Sequence, residues 1–376
     1  VLALRGGGEL VALWAQLGSV IELVAGVALA GVGTGLAVYV ARTQRPERQA
    51  DLLREALRIG LGVAAPVALV IAIAGGIFAD ALFGEKLRPA LVAIGAAAGW
   101  LAVIPGLVNN LWLGQQRRGL MLALALGSAV LTLTVSLLVP GSALLPALAV
   151  AQAAPALVVF FVSRIKTGKP RFRSRSHPLL RYVLPGLSIG ILAPGSMLIA
   201  RGIVGEALSW HEAGVLQALW RVADWVCAFA AGILSVYFLP RFAASRASPL
   251  LLSDEMRRAA VMILLPAIAV FAVLFLAHRP LLAALYGPDF GATDGAAALL
   301  FTGSAVRIAS WIPLFALYAM RRTPAITIGE LLSLPLFAVL LLIFKNHLSL
   351  ETAGALWTAA YAAYGAFNFW AVKRDQ

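Results

Sequence analysis

The chain has 376 residues, of which 61% are hydrophobic and 12% charged, with a mean hydropathy of +0.91 and a formal net charge of +13. Soluble domains carry roughly a quarter charged residues, and here the apolar residues run in blocks of about 20 rather than at period two. Those patterns exclude a soluble catalytic domain and a membrane β-barrel, and leave an all-α integral membrane protein, because only helices and closed barrels satisfy their backbone within lipid.

Eleven membrane-spanning helices are expected, over roughly 9–41, 52–83, 90–114, 119–139, 143–163, 179–207, 212–240, 257–277, 292–320, 324–344 and 351–372. Proline, glycine and charge clusters separate them, as at Arg45-Pro46-Glu47, Glu85-Lys86-Leu87-Arg88, Val139-Pro140-Gly141 and Gly287-Pro288-Asp289. Of the 30 Lys and Arg residues, 22 gather at one set of helix ends, from Arg42–Arg58 through Arg164–Arg181 to Lys373 and Arg374. Five (Arg5, Lys86, Arg88, Arg279, Lys345) lie at the opposite ends, and Arg201, Arg221 and Arg307 fall inside spans. Basic residues without interleaved aromatics in short loops read as topology, not as nucleic-acid binding. The positive-inside rule places the richer side, and with it the C-terminus, in the cytoplasm. The long basic loop Arg164–Arg181 divides an N-terminal lobe of five spans, 1–168, from a C-terminal lobe of six, 169–376. Gly8-x-Leu10-x-Ala12-Leu13-Trp14 recurs as Gly214-x-Leu216-x-Ala218-Leu219-Trp220, five identities in seven positions, which suggests two parallel repeats.

No catalytic or metal-binding motif stands in the sequence: there is no Walker loop, no Cys or His ligand spacing and no nucleophile elbow. Cys227 reads as a packing residue, and His177, His211, His278 and His347 as solvated side chains at span edges. Gly31-x-Gly33-x-Gly35 lies deep in a span and reads as close helix packing. Ionisable groups inside spans are the informative ones: Glu22, Arg201, Arg221, Asp224, Arg307 and Glu330. Each costs about 2.5–3.5 kcal/mol to insert, so together they imply a shared polar interior. Arg221 and Asp224, three residues apart on one face with Gln217, read either as a local ion pair joining helices or as part of a cavity wall. On the cavity reading the arginines grip a diphosphate through forked hydrogen bonds. Glu22, Asp224 and Glu330 then pair with them when the site is empty, or carry a coupled proton. Trp220 and Trp225 flank the pair and offer rings for a sugar.

The stretch Ser209-Trp210-His211-Glu212-Ala213-Gly214-Val215-Leu216-Gln217, with Val222-Ala223-Asp224 and Leu234-Ser235-Val236-Tyr237-Phe238-Leu239-Pro240, resembles the Wzx-type O-antigen and enterobacterial-common-antigen flippases. These belong to the multidrug/oligosaccharidyl-lipid/polysaccharide exporter superfamily, whose pattern here is SW-x-E-x-G-x-x-Q, an aspartate seven residues on, then S-x-Y-x-L-P. Gly26 to Arg42 and Gly329-Glu330 extend the likeness more faintly. The resemblance implies a two-lobed bundle of twelve helices, the first of them absent here, working by alternating access in the bacterial inner membrane. The implied substrate is an undecaprenyl-diphosphate-linked oligosaccharide of an O-antigen, common-antigen or exopolysaccharide pathway, with a polysaccharide polymerase and a chain-length regulator as partners. Arg201, Asp224, Arg307 and Glu330 fall where the family carries like charges, whereas Arg221 and Glu22 depart from it. No cofactor is expected, and a proton or cation gradient is the candidate driving force. A drug/cation antiporter would favour a more acidic cavity, and a membrane-embedded polymerase or glycosyltransferase would need a long outer loop. A twelfth helix upstream of Val1 is expected on three grounds: the odd span count, the unpaired first repeat and the start on Val rather than Met.

Overall fold

The computed structural model describes residues 1–43, 45–83, 89–162, 179 and 183–374. Every regular element among them is helical. α1 (Leu2–Ala28) continues through a π-helical turn, Leu29–Gly33, into α2 (Thr34–Ala41). There follow α3 (Pro46–Ile73), α4 (Gly75–Phe83), α5 (Pro89–Gly114), α6 (Arg118–Leu138), α7 (Gly141–Val162) and α8 (Val183–Ala207). α9 (Trp210–Ile233) passes through a second π-helical turn, Leu234–Phe238, into α10 (Leu239–Ser245), before α11 (Pro249–Tyr286) and α12 (Asp294–Met320). α13 (Thr323–Leu331), α14 (Leu334–Ile343) and α15 (Leu350–Arg374) complete the chain.

These elements lie over the eleven expected spans, and among the described residues eight helical segments are long and apolar enough to cross a membrane, with Leu2–Ala41 kinked at Gly6 and Gly7. Two boundaries differ from expectation for local reasons. α11 runs 38 residues, since the Ser248 side chain accepts from Leu251 N–H, Pro249 opens the helix, and Gly287 at φ 109° ends it. The expected span 324–344 is two helices, because the chain turns out of helix at Leu332 and at Ser333, whose φ and ψ are −100° and −113°.

By internal contacts the chain divides into two units. One is Leu13–Leu198 with Val1, the other Leu2–Ala12 with Ile199–Gln376. The lobe boundary expected at 168/169, the loop Arg164–Arg181, the Glu85–Arg88 break and His177 lie outside the described residues, residue 179 apart.

In the first unit α5 presents a run of glycines to α1 and α2. A Cβ on Gly99 would stand 2.7 Å from the Ile21 carbonyl oxygen, and one on Gly114 would stand 2.7 Å from that of Ala37. Apolar helices gain little from hydrophobicity within lipid, so close backbone approach through small residues is what binds them. Gly33 belongs to the same contact, since a Cβ there would meet Asn110 Nδ2 at 2.8 Å, in keeping with the packing role read from its sequence. Gln16, fully buried, ties this unit with hydrogen bonds from Nε2 to the carbonyls of Leu82 (2.8 Å) and Leu198 (2.9 Å).

The second unit is built on α12 against α15. Gly303 faces Trp357 and Thr358, Gly354 faces Leu299, and Gly365 faces Ser310. Both members of the sequence repeat belong to the same kind of element, a long helix that takes a π-helical turn near its end. The turns at 29–33 and 234–238 fall within one residue of the offset that aligns Gly8 with Gly214. The two glycines also touch, since a Cβ on Gly8 would stand 2.6 Å from the His211 carbonyl oxygen and one on Gly214 would strike Gly8.

Candidate functional site

Arg307 sits midway along α12, where Gly303 lets α15 approach closely enough to bring its rings over the guanidinium. The arginine Cζ lies 4.9 Å from the ring centre of Trp311, 5.6 Å from that of Trp357 and 5.5 Å from that of Tyr361. Nη1 donates to Asp224 Oδ1 on α9 at 2.7 Å, linking residues 83 apart in sequence. The arginine side chain is 20% exposed and the aspartate 43%, so the cation is enclosed while its counter-ion is reachable. Three aromatic faces each contribute about 0.5–2 kcal/mol toward holding a desolvated cation, and the carboxylate supplies the charge balance that a buried arginine requires.

A second polar group adjoins this cage. Tyr364 donates its hydroxyl to Glu330 Oε1 at 2.9 Å, and the Tyr361 and Tyr364 ring centres are 6.1 Å apart. Glu330 stands where α13 breaks from α14, with Ser333 Oγ donating to its carbonyl at 2.7 Å. Broken helices within a span place polar backbone and ionisable side chains where a cavity, not lipid, meets them. Asn368 is fully buried and donates from Nδ2 to the Ser310 carbonyl at 3.4 Å. Arg307 Nε, Trp357 Nε1, Trp220 Nε1, Gln217 Oε1 and Asn368 Oδ1 are buried without a hydrogen-bonding partner among the described residues. An unsatisfied polar atom in an apolar setting costs about 1–3 kcal/mol.

The structure brings Asp224 and Arg307 into contact, with Glu330 beside them through the two tyrosines. Asp224 does not pair with Arg221, so the local ion pair expected there does not form. Arg221 is exposed and makes no ion pair among the described residues. Gln217 is buried on α9, and Arg201 is buried near the end of α8. Glu22 belongs to the first unit and is exposed on α1. Trp220 is not open to a sugar ring: it is 3% exposed and packs against Phe337 and Trp357 at 5.8 and 5.3 Å. Trp225 is 57% exposed. His278 is buried rather than solvated, with Nδ1 2.6 Å from the Phe275 carbonyl and Nε2 3.4 Å from Asp294 Oδ1. Sequence reasoning missed Tyr361, Tyr364, Asn368 and Gln16. The signal for the first three was the spacing of Trp357, Tyr361, Tyr364 and Asn368 on one face of α15.

No protein-family model matches the chain. The fold is that of the transporters of the MOP superfamily: a multidrug resistance MATE transporter in its inward-facing conformation matches with a TM-score of 0.81 at 13% identity, covering 100% of this chain and 92% of that one. The lipid II flippase MurJ, in an inward closed conformation, matches at 0.69 with 12% identity over 97% of this chain and 85% of that one. In sequence the chain resembles the lipid III flippase of Escherichia coli strain K12, with 27% identity over 249 residues, 62% of this chain and 58% of that protein. The lipid III flippase of Shigella flexneri matches to the same extent. The chain thus spans 58% of the length of the curated relatives it matches.

Proposed function

We propose that this protein is a flippase that moves an undecaprenyl-diphosphate-linked oligosaccharide from the cytoplasmic to the periplasmic leaflet of the bacterial inner membrane, by alternating access. The observation that carries the reading is the Arg307–Asp224 pair: an enclosed guanidinium whose resident anion is half-exposed. A diphosphate arriving at that arginine takes over from the carboxylate, and its two phosphates suit forked hydrogen bonds better than a single carboxylate does. Release of the substrate returns Arg307 to Asp224, so the buried cation is never left alone. Arg201 and Arg221 add cationic donors, Gln217 a polar one, and Glu22 and Glu330 are the acidic groups available to a coupled proton or cation. The resemblance to lipid III flippases supports the substrate class. A polysaccharide polymerase and a chain-length regulator are the expected partners of such a step, and the 22 basic residues on one side support a cytoplasmic C-terminus.

The multidrug transporter fold suggests a second reading, a drug/cation antiporter. A site centred on an arginine repels cationic drugs, and the anionic lipid-linked substrate is preferred on that ground. Complementation of a flippase-null strain tests the choice. Arg307→Ala should abolish surface polysaccharide while membrane-inserted protein persists. Normal surface polysaccharide from Arg307→Ala would refute the reading.

A further inference from the structure

Two hollows lie along α11 and α12 in the second unit, of about 520 and 310 Å³. Both are lined by Leu264 and Ala309, so they form one continuous groove. The larger part has no charged side chain, and Phe271, Phe275 and Phe301 are among its walls. The smaller part is bordered by Ser253, Arg257 and Lys373. Arg257 is exposed and meets no carboxylate among the described residues, while Lys373 Nζ rests 4.6 Å over the Phe369 ring.

We propose that this groove holds the polyprenyl tail of an anionic carrier lipid whose diphosphate enters beside Arg257 and Lys373. The proposal rests on the flippase reading and adds to it a place for the tail. Length selects the occupant. From Arg257 to Phe275 the groove follows 18 residues of α11, about 27 Å at 1.5 Å per residue, against a hydrocarbon core of about 30 Å. A phospholipid acyl chain is confined to its own leaflet and fills only half of such a groove. A long polyprenyl chain fills it all, and stays on the same unit whichever leaflet holds its head. Charge selects the polarity. Both cations stand at one end, the end assigned to the cytoplasm, where a polyprenyl-linked substrate starts. Ala272, Ala298, Ala305 and Ala309 leave a channel beside the phenylalanines for a single chain.

Native mass spectrometry of the purified protein, offered undecaprenyl diphosphate or dioleoyl phosphatidylglycerol, reads occupancy directly. Ala305→Phe should lower retention of undecaprenyl diphosphate by roughly tenfold and leave phosphatidylglycerol retention unchanged. Thr302→Cys, an exposed position lining the groove, provides a milder block. Alkylation there with a bulky maleimide should have the same effect, and Cys227, 1% exposed, should not compete for the reagent. Arg257→Gln with Lys373→Gln should weaken undecaprenyl diphosphate more than uncharged undecaprenol. Undecaprenyl diphosphate retained equally by the wild type and both blocked forms would overturn the groove and leave the flippase reading standing. Displacement of undecaprenyl diphosphate by equimolar phosphatidylglycerol would likewise overturn the choice of occupant. No retention by the wild type at all would remove both.

Discussion

Arg307 is a full positive charge on a membrane-spanning helix, and its surroundings are arranged to make that tolerable: three rings, one carboxylate and a neighbouring tyrosine pair. Removing one partner of an enclosed pair leaves the other uncompensated, which costs more than removing both. Asp224→Ala is therefore expected to destabilise the protein by about 1–3 kcal/mol, discounted for the aspartate's exposure. Asp224→Ala with Arg307→Met should recover part of that loss, as read by thermal unfolding in detergent, and strict additivity of the two changes would contradict the pairing. Transport should respond differently. Arg307→Lys keeps the charge and loses the fork, so it should retain only a small part of the wild-type rate in a polysaccharide assay. Full activity would show that the fork is not used. Glu330 is held by Tyr364, with Tyr318, Tyr361 and Arg307 among its charged or titratable neighbours. If it carries the coupled proton, Glu330→Gln should leave substrate retention intact and abolish the response of transport to an imposed pH gradient. An unchanged response would remove Glu330 from the coupling.

At the scale of the helix, close packing rests on glycines that only the structure sorts by role. The Gly99 position faces backbone, with a Cβ due 2.7 Å from the Ile21 carbonyl oxygen and 2.9 Å from Val24 Cβ, neither of which can yield. Gly127 has nothing within 4 Å of the same atom. Gly99→Val should cost about 2–3 kcal/mol by overpacking, whereas Gly127→Val should stay within about 0.5 kcal/mol. Equal unfolding temperatures for the two variants would contradict the α5 packing described here. The helices themselves were legible, because a span needs a long apolar run and the loops between runs are charged. Partner choice was not. Asp224 had a nearer candidate three residues away in Arg221, and its true partner lies 83 residues on, brought by the packing of α9 and α12. The break of 324–344 had a signal that the sequence reading passed over: Ser333 is followed by Pro335, which stands in the first turn of α14.

For the whole molecule, the two copies of the repeat read from seven positions lie on two long helices whose π-helical turns fall one residue from the repeat offset. A π-helical turn often marks a functional place in a helix. The ionisable residues inside spans were legible as a set, because such groups stand out within apolar runs. Their division was not, since Glu22 lies in a different unit from Asp224, Arg307 and Glu330. The split of 22 basic residues against five makes orientation a prediction open to test. Reporter fusions near Lys169 should read cytoplasmic and fusions near Pro288 or Asn346 periplasmic, and a periplasmic signal at Lys169 would reverse the topology. The most direct test of the central claim is translocation itself. In proteoliposomes loaded with an undecaprenyl-diphosphate-linked oligosaccharide, the wild-type chain should expose the sugar to an external lectin or glycosidase faster than protein-free vesicles do, and Arg307→Ala should return the rate to that background. A wild-type rate no faster than protein-free vesicles, or an Arg307→Ala rate equal to wild type, would contradict it.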